Sequence, residues 1–322
     1  MRRILVSLVV ATAAGCGGAP PAGHMRFHNQ PPAMAVNDRR DVKKKPGETH
    51  HYFLLNRLDM HYHRRMTRWM EVRAKHRAAN VNSIDEVPDS TWFTNRIGVR
   101  DLSVDEIRRG PNVTGSPEGH LPLVIKSSKT GGTAPGFMVE DQRGTKYLLK
   151  FDEAGFPEAE TGTDVIAQRF MWAAGYSVPE DHVIYFKRDQ LVLAKDAVVK
   201  APTGEERPMT KEFLERELAR VQVDEDGTIR ALASQFLDGV PVGGHPREGI
   251  RSDDPNDRIP VENRRETRGA YVIASWIDHT DVKDDNTIDM YVEDPVNPKV
   301  HYLMHYWVDF GKALGVQGLI AH

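Results

Sequence analysis

The sequence predicts an α+β fold built on a five-stranded antiparallel sheet with one helix inserted after the third strand. Three observations carry that expectation. Between Leu121 and Asp152 the apolar residues fall into short β-rich runs, "LPLVIK", "FMVED" and "KYLLKFD", separated by "SSKTGGTAPG" and "QRGT", the pattern of a three-stranded meander. In "EAETGTDVIAQRFMWAAGY" the period changes: Val165, Ile166, Phe170, Met171 and Ala174 share one side at helical spacing, and Gly175 stops the helix. "SVPEDHVIYF" and "QLVLAKDAVV" then supply two more strands.

The 322 residues leave room for about two domains, and 39% apolar with 28% charged residues is ordinary globular composition. A net charge of -3 gives no broad basic face, which argues against nucleic acid as a partner. At the N-terminus a basic "MRR" precedes the short apolar run "ILVSLVVATAA" and the lone cysteine of "AAGC". The run is too short to span a bilayer. Ala13-Ala14-Gly15-Cys16 resembles the lipobox of bacterial lipoproteins, which implies a signal peptide over residues 1–15, lipidation of Cys16, and attachment to the membrane of the bacterial cell envelope. Cys16 is the only cysteine, so no disulfide within the chain supports the fold.

Residues 16–49 are rich in Gly, Pro and charge without an apolar period, and read as a flexible tether. Residues 50–120 read as a helical extension: Leu54, Leu58, Tyr62, Met66, Trp69 and Arg73 recur at helical steps from His51 to about Ala79, and "VNSIDEVPDSTWFTNRIG" breaks the pattern. His61 and His63 stand on divergent faces of such a helix, so solvated rings are preferred to a metal site. After the five strands come a helix in "KEFLERELARVQV", a turn in "VDEDGT", a departing strand in "IRALASQFLDG", and a polar loop in "GIRSDDPNDRIP". A helix in "VENRRETRGAYVIASWI" follows, then two strand-like runs, "IDMYV" and "HYLMHYWVDFG".

Two short motifs near the end carry chemistry. "HTDVKDDN" presents His279, Asp281 and Asn286 as His-x-Asp, four residues, then Asn, and "VDFG" presents Asp309, Phe310 and Gly311. Together these resemble the catalytic loop and the metal-binding Asp-Phe-Gly of the protein-kinase-like superfamily, in its atypical HipA-like and secreted branches. Phosphoryl transfer needs a carboxylate near the attacking hydroxyl and hard oxygen ligands for a divalent ion on the phosphates. The resemblance implies that Asp281, in a catalytic loop opened by His279, is the base, and that Asn286 and Asp309 are metal ligands. It also implies that Lys150, at the end of the third strand, holds the α- and β-phosphates. Gly131, Gly132 and Gly136 would let backbone amides approach an anion, although the loop lacks the Gly-x-Gly-x-x-Gly spacing. Asp164 is the acid expected to orient Lys150, with Glu160 and Glu158 as alternatives, and "SQFLDG" resembles the hinge.

The resemblance covers roughly Leu121 to Gly311. It implies two lobes: an N-lobe over 121–235, then a hinge and a partial, helical C-lobe over 236–322. That lobe reads as cut short because the chain stops eleven residues after Gly311. The implied cofactors are ATP or another nucleotide with Mg2+ or Mn2+, and the implied activity is phosphorylation of a protein or small-molecule hydroxyl. An inactive kinase-like scaffold and a nucleotidyl transferase are the alternatives.

Overall fold

The computed structural model describes residues 37–49, 58–70, 77–82, 84–130, 134–201 and 204–316. Its largest unit is a seven-stranded sheet. Strands β1 (Leu123–Ser128), β2 (Gly136–Glu140) and β3 (Lys146–Phe151) form the expected antiparallel meander. Helix α3 (Thr161–Ala174) follows, then β4 (Asp181–Lys187), β5 (Leu191–Lys200) and the short β6 (Glu206–Pro208). Helix α4 (Lys211–Leu218) and β7 (Thr228–Gln235) complete the unit. The spatial order is β4-β7-β3-β2-β1-β5-β6.

This corrects the expected five-stranded antiparallel sheet in two ways. The sheet is mixed, because β5 runs parallel to β1 once the chain has crossed over through α3 and β4. The run expected to depart for the hinge, β7, inserts between β3 and β4. Local periodicity shows that such a segment is extended, whereas its neighbours are chosen by which apolar faces meet.

Alternation along β3 positions the site. Tyr147, Leu149 and Phe151 are fully buried on one face, where they join Leu123, Ile125, Phe137, Ile184 and Phe186. The intervening Leu148 and Lys150 therefore point to the opposite face. Each such apolar side chain contributes about 1.5–3 kcal/mol on burial, so the register of β3, and with it the direction of Lys150, is strongly held.

Residues from 236 onward differ from the helical C-lobe expected. Among the described residues they hold one α-helix, α5 (Arg265–Trp276), and a three-stranded sheet of order β10-β9-β8, formed by β8 (Val240–Pro241), β9 (Thr287–Glu293) and β10 (His301–Trp307). A second core joins α3 to α5 through Ala167, Met171, Tyr176, Ala270, Trp307 and Phe310.

The N-terminal segments also depart from expectation. The signal peptide and Cys16 lie outside the described residues. Residues 37–49 are not a free tether, because they run along the C-terminal sheet. Val42 is buried and donates its amide to the His301 carbonyl at 2.7 Å, and the Thr49 amide reaches the Val242 carbonyl at 3.1 Å. Asp41 accepts from the His301 amide and Gly47 donates to Asp253. Lacking an apolar period, this segment is held by backbone hydrogen bonds and by scattered polar side chains, which leave no periodic signature in the sequence. Among the described residues the predicted helix comprises one wide turn, Asp59–His63, and α1 (Arg64–Met70), while residues 77–82 are not helical. Its Tyr62, Met66 and Trp69 are exposed. Helix α2 (Val104–Arg109), closed by a Ser103–Glu106 capping box, packs beside α3.

Candidate active site

Asp152 follows β3 directly and builds the first half of the site. Its Oδ1 accepts the amides of Glu160 and Thr161, both at 2.9 Å, and its Oδ2 accepts the Thr161 hydroxyl at 2.7 Å. Those amides belong to the open N-terminus of α3, which needs such an acceptor. The strand end carrying Lys150 is thereby tied to the helix start carrying Asp164. The Lys150 ammonium donates to Asp164 Oδ2 at 2.7 Å with both side chains buried.

The second half comes from the C-terminal hairpin. The pairing of β9 with β10 sets Thr287 opposite Trp307, so the residues just outside the hairpin, Asn286 and Val308, also meet. The Val308 amide donates to the Asn286 carbonyl at 3.0 Å. Asp309 comes next, in a left-handed backbone conformation with φ of +62°. Asp and Asn tolerate that region better than most side chains, and such strain concentrates at functional sites. It directs Asp309 Oδ1 to Lys150 Nζ at 2.7 Å. Asp164 closes the knot by accepting the Phe310 amide at 3.3 Å.

The charges reinforce one another. Burial lowers the Lys150 pKa, but the carboxylates of Asp164, Asp309 and Glu160 more than offset it and hold the ammonium well above its ordinary value. Burial raises the Asp309 carboxyl while Lys150, then Lys129 and Lys283, pull it down to about 2. Lys129 lies lower than usual, through burial and then the repulsion of Lys150. Behind Asp164, burial and that carboxylate push Asp181 up to about 7, which keeps a further negative charge from forming in acid.

Asp281 and Asn286 form one turn: Asn286 Nδ2 donates to the Asp281 carbonyl at 2.7 Å and to its carboxylate at 3.1 Å. Lys283 also bonds that carboxylate, at 2.8 Å. His279 is buried and faces away from this polar turn. Its ring lies 5.6 Å from Phe310 and its Nδ1 is 3.1 Å from the Lys312 carbonyl, so it holds the Asp-Phe-Gly segment in place.

Lys150 and Asp309 line one end of a cleft of about 410 Å³. Lys129, Lys150, Asp285 and Asp309 make the polar end, and Leu148, Phe236, Leu237, Ile288 and Met290 are among the apolar walls. The residues expected to form the hinge thus border the cleft. Three carboxylates, Glu160, Asp164 and Asp309, place ligand oxygens within 4.8 Å of one another, a hard donor set suited to Mg2+ or Mn2+.

Of the predicted site residues, Lys150, Asp164 and Asp309 meet directly, and Asp281 and Asn286 meet in the neighbouring turn. Glu160 pairs with Lys312 at 3.4 Å, and exposed Glu158 lies 3.8 Å from Arg230, away from Lys150. Gly131 and Gly132 lie outside the described residues. A side chain at Gly136 would meet the Leu149 carbonyl oxygen at 2.6 Å, so that glycine serves the close approach of β2 to β3. Lys129, Lys283 and Asp285 were missed as site residues although they stand inside the motifs quoted above. Their signal was charge within a glycine-rich loop and within the turn of Asp281 and Asn286.

No family model matches this chain, and no curated protein matches it. Protein kinases are among the solved structures similar to it. One is the Rio2 kinase of Chaetomium thermophilum in an ADP/Mg2+-phosphoaspartate complex, at 13% identity and a TM-score of 0.29, covering 63% of this chain and 52% of that one. Another is the Golgi casein kinase, at 12% identity and a TM-score of 0.34, covering 90% of this chain and 78% of that one. The chain thus spans about half the length of the Rio2 kinase chain. Likenesses this distant have no bearing on activity.

Proposed function

We propose that the cleft binds a nucleotide with Mg2+ or Mn2+ and transfers its terminal phosphoryl group to a hydroxyl of a protein or small molecule, as a kinase-like phosphotransferase. The observation that carries this reading is Lys150, held 2.7 Å from both Asp164 and Asp309 at the polar end of an apolar-walled cleft. The apolar walls suit a base, and the ammonium groups of Lys129 and Lys150 suit a polyphosphate. Asp309 and Asn286, with Glu160 and Asp164 beside them, would hold the metal ion, which when bound supplies charge neutralisation across the phosphates. Asp281 accepts the proton of the attacking hydroxyl as its oxygen bonds to phosphorus, and the nucleoside diphosphate leaves with the bridging oxygen. Asp164 and His279 position Lys150 and Asp309.

Calorimetric titration with magnesium ATP separates these roles. Asp309→Asn should weaken binding about tenfold or more. Asp281→Ala should bind nearly as before yet lose turnover by about 10²-fold. Scoring α- and γ-phosphate transfer separately distinguishes a nucleotidyl transferase. A wild-type chain that binds no nucleotide with either metal overturns the reading.

We also propose that the mature chain begins at a lipidated Cys16 and resides in the bacterial cell envelope, because the apolar run ends beside that cysteine. Among the described residues no helix is long and apolar enough to cross a membrane. Mass spectrometry of the mature N-terminus should find a diacylglyceryl-modified cysteine, and an unmodified Cys16 would refute the idea.

A further inference from the structure

A second cluster of ligand-type side chains lies in the C-terminal sheet and takes no part in the reading above. Asp289 is the middle of three adjacent backbone runs. His305 is its direct partner on β10, so both side chains share one face. On the other side the chain beyond β8 exchanges backbone bonds with Asp289, and His245 follows immediately. Both imidazoles turn the same nitrogen to one oxygen: His305 Nδ1 is 2.6 Å and His245 Nδ1 is 3.3 Å from Asp289 Oδ1. The three possible ligand atoms all lie within 4.8 Å of one another, and all three residues are buried.

The surrounding charge suits a cation. Arg251 approaches Asp289 through the other oxygen, Oδ2, at 3.4 Å, leaving Oδ1 for the imidazoles. The same guanidinium is shared with Asp253 and with the carbonyls of Gly47 and Val242. Asp257 is matched by Arg264 at 2.9 Å. Asp254 is also buried, and among the described residues no Arg or Lys pairs with it. Burial raises its pKa against the Asn256 amide, which donates to its Oδ1 at 2.9 Å. Trp92 seals the cluster, stacked on His305 at 3.6 Å between ring centres and edge-on to His245 at 4.8 Å.

We propose that His245, Asp289 and His305 bind one divalent transition-metal ion of the zinc class, beneath Trp92 and beside Asp254. Two imidazoles and a carboxylate are borderline donors that suit such an ion, and Arg251 on the free carboxylate oxygen is the kind of outer contact that orients a metal-bound carboxylate. Bonds of about 2.1 Å in a tetrahedral shell would separate the ligand atoms by roughly 3.4 Å, so the His305 contact opens by less than about 1 Å on binding. The ion would pin the segment carrying His245 to the hairpin that presents Asn286 and Asp309.

The test is elemental analysis of the purified full-length chain, then titration of the chelator-stripped chain with Zn2+, read by thermal melting, and with Co2+, read by visible absorption. One zinc per chain, a rise in Tm on adding zinc, and a tetrahedral cobalt spectrum are expected. His245→Gln should weaken zinc binding about tenfold or more, while Asp309→Asn should leave it unchanged. Should His245→Gln fail to fold, the cobalt spectrum of the wild-type chain decides alone. A folded wild-type chain that takes up neither ion overturns the proposal and leaves a hydrogen-bonded knot, as does zinc binding that survives His245→Gln or is lost in Asp309→Asn.

Discussion

Asp309 and Asp289 both meet nitrogen donors on a partner element, yet one belongs to an open knot and the other to a sealed one. The Asp309 side chain is 42% exposed where it meets Lys150, whereas Asp289 is 0% exposed between His245, His305 and Arg251. Two charges 4 Å apart attract by about 4 kcal/mol at the effective dielectric of a protein site and by only about 1 kcal/mol in water. Asp309 can therefore exchange its lysine for a metal ion at modest cost. Asp289 has no water to replace a lost partner. The open knot suits a group that changes partners during a reaction, and the sealed one suits a permanent joint.

The sharpest way to break this comparison is to remove one partner from each side. Asp289→Ala leaves two buried imidazoles without their carboxylate and Arg251 with only Asp253 and two carbonyls, and should cost about 3–5 kcal/mol in urea unfolding. Lys150→Ala leaves buried Asp164 with only the Phe310 amide but releases Asp309 toward solvent, so about 1–3 kcal/mol is expected. Equal losses in the two variants would show that the cleft is as dry as the hairpin interior.

Acid supplies the smallest and most selective probe. Asp309 is pulled down to about 2 in the folded chain, against about 4 for an unfolded carboxyl. A depressed folded pKa gives stability that is complete above about pH 4 and fades as the pH falls through about 2. Half-exposure and salt screening keep the effect small. Thermal melts between pH 5 and pH 2 should therefore show Asp309→Asn losing slightly less stability than wild type, with the difference shrinking in high salt. Asparagine keeps the left-handed backbone accessible, so a comparison at pH 5 isolates charge from strain.

How much of this was legible differs between the same two places. The residues of the open knot sit at ends of elements whose periods are visible: Lys150 closes an alternating strand, Asp164 opens an amphipathic helix, and Asp309 follows an apolar run. The sealed knot left no mark. His245, Asp289 and His305 are far apart in sequence and share no motif, and only the register of β9 on β10 sets two of them face to face. "DEVPDSTWF" likewise offered no role until its Trp92 was found stacked on His305. Residues 37–49 resembled a tether because the backbone hydrogen bonds and scattered polar contacts that hold them follow no period along the chain.

The sequence by itself determined the local elements and their faces: the meander, the helix after it, the direction of Lys150, and the two motifs whose charges meet in the cleft. Periodicity of 2 or 3.6 is a property of neighbours along the chain, so it can be read without a fold. Tertiary structure alone decided that β7 enters the sheet between β3 and β4, that β5 runs parallel to β1, and that Asp289 is closed in by histidines under a tryptophan. Those are pairings between distant segments, chosen by which apolar faces bury one another and which backbone groups remain to be satisfied. No window of sequence contains both partners.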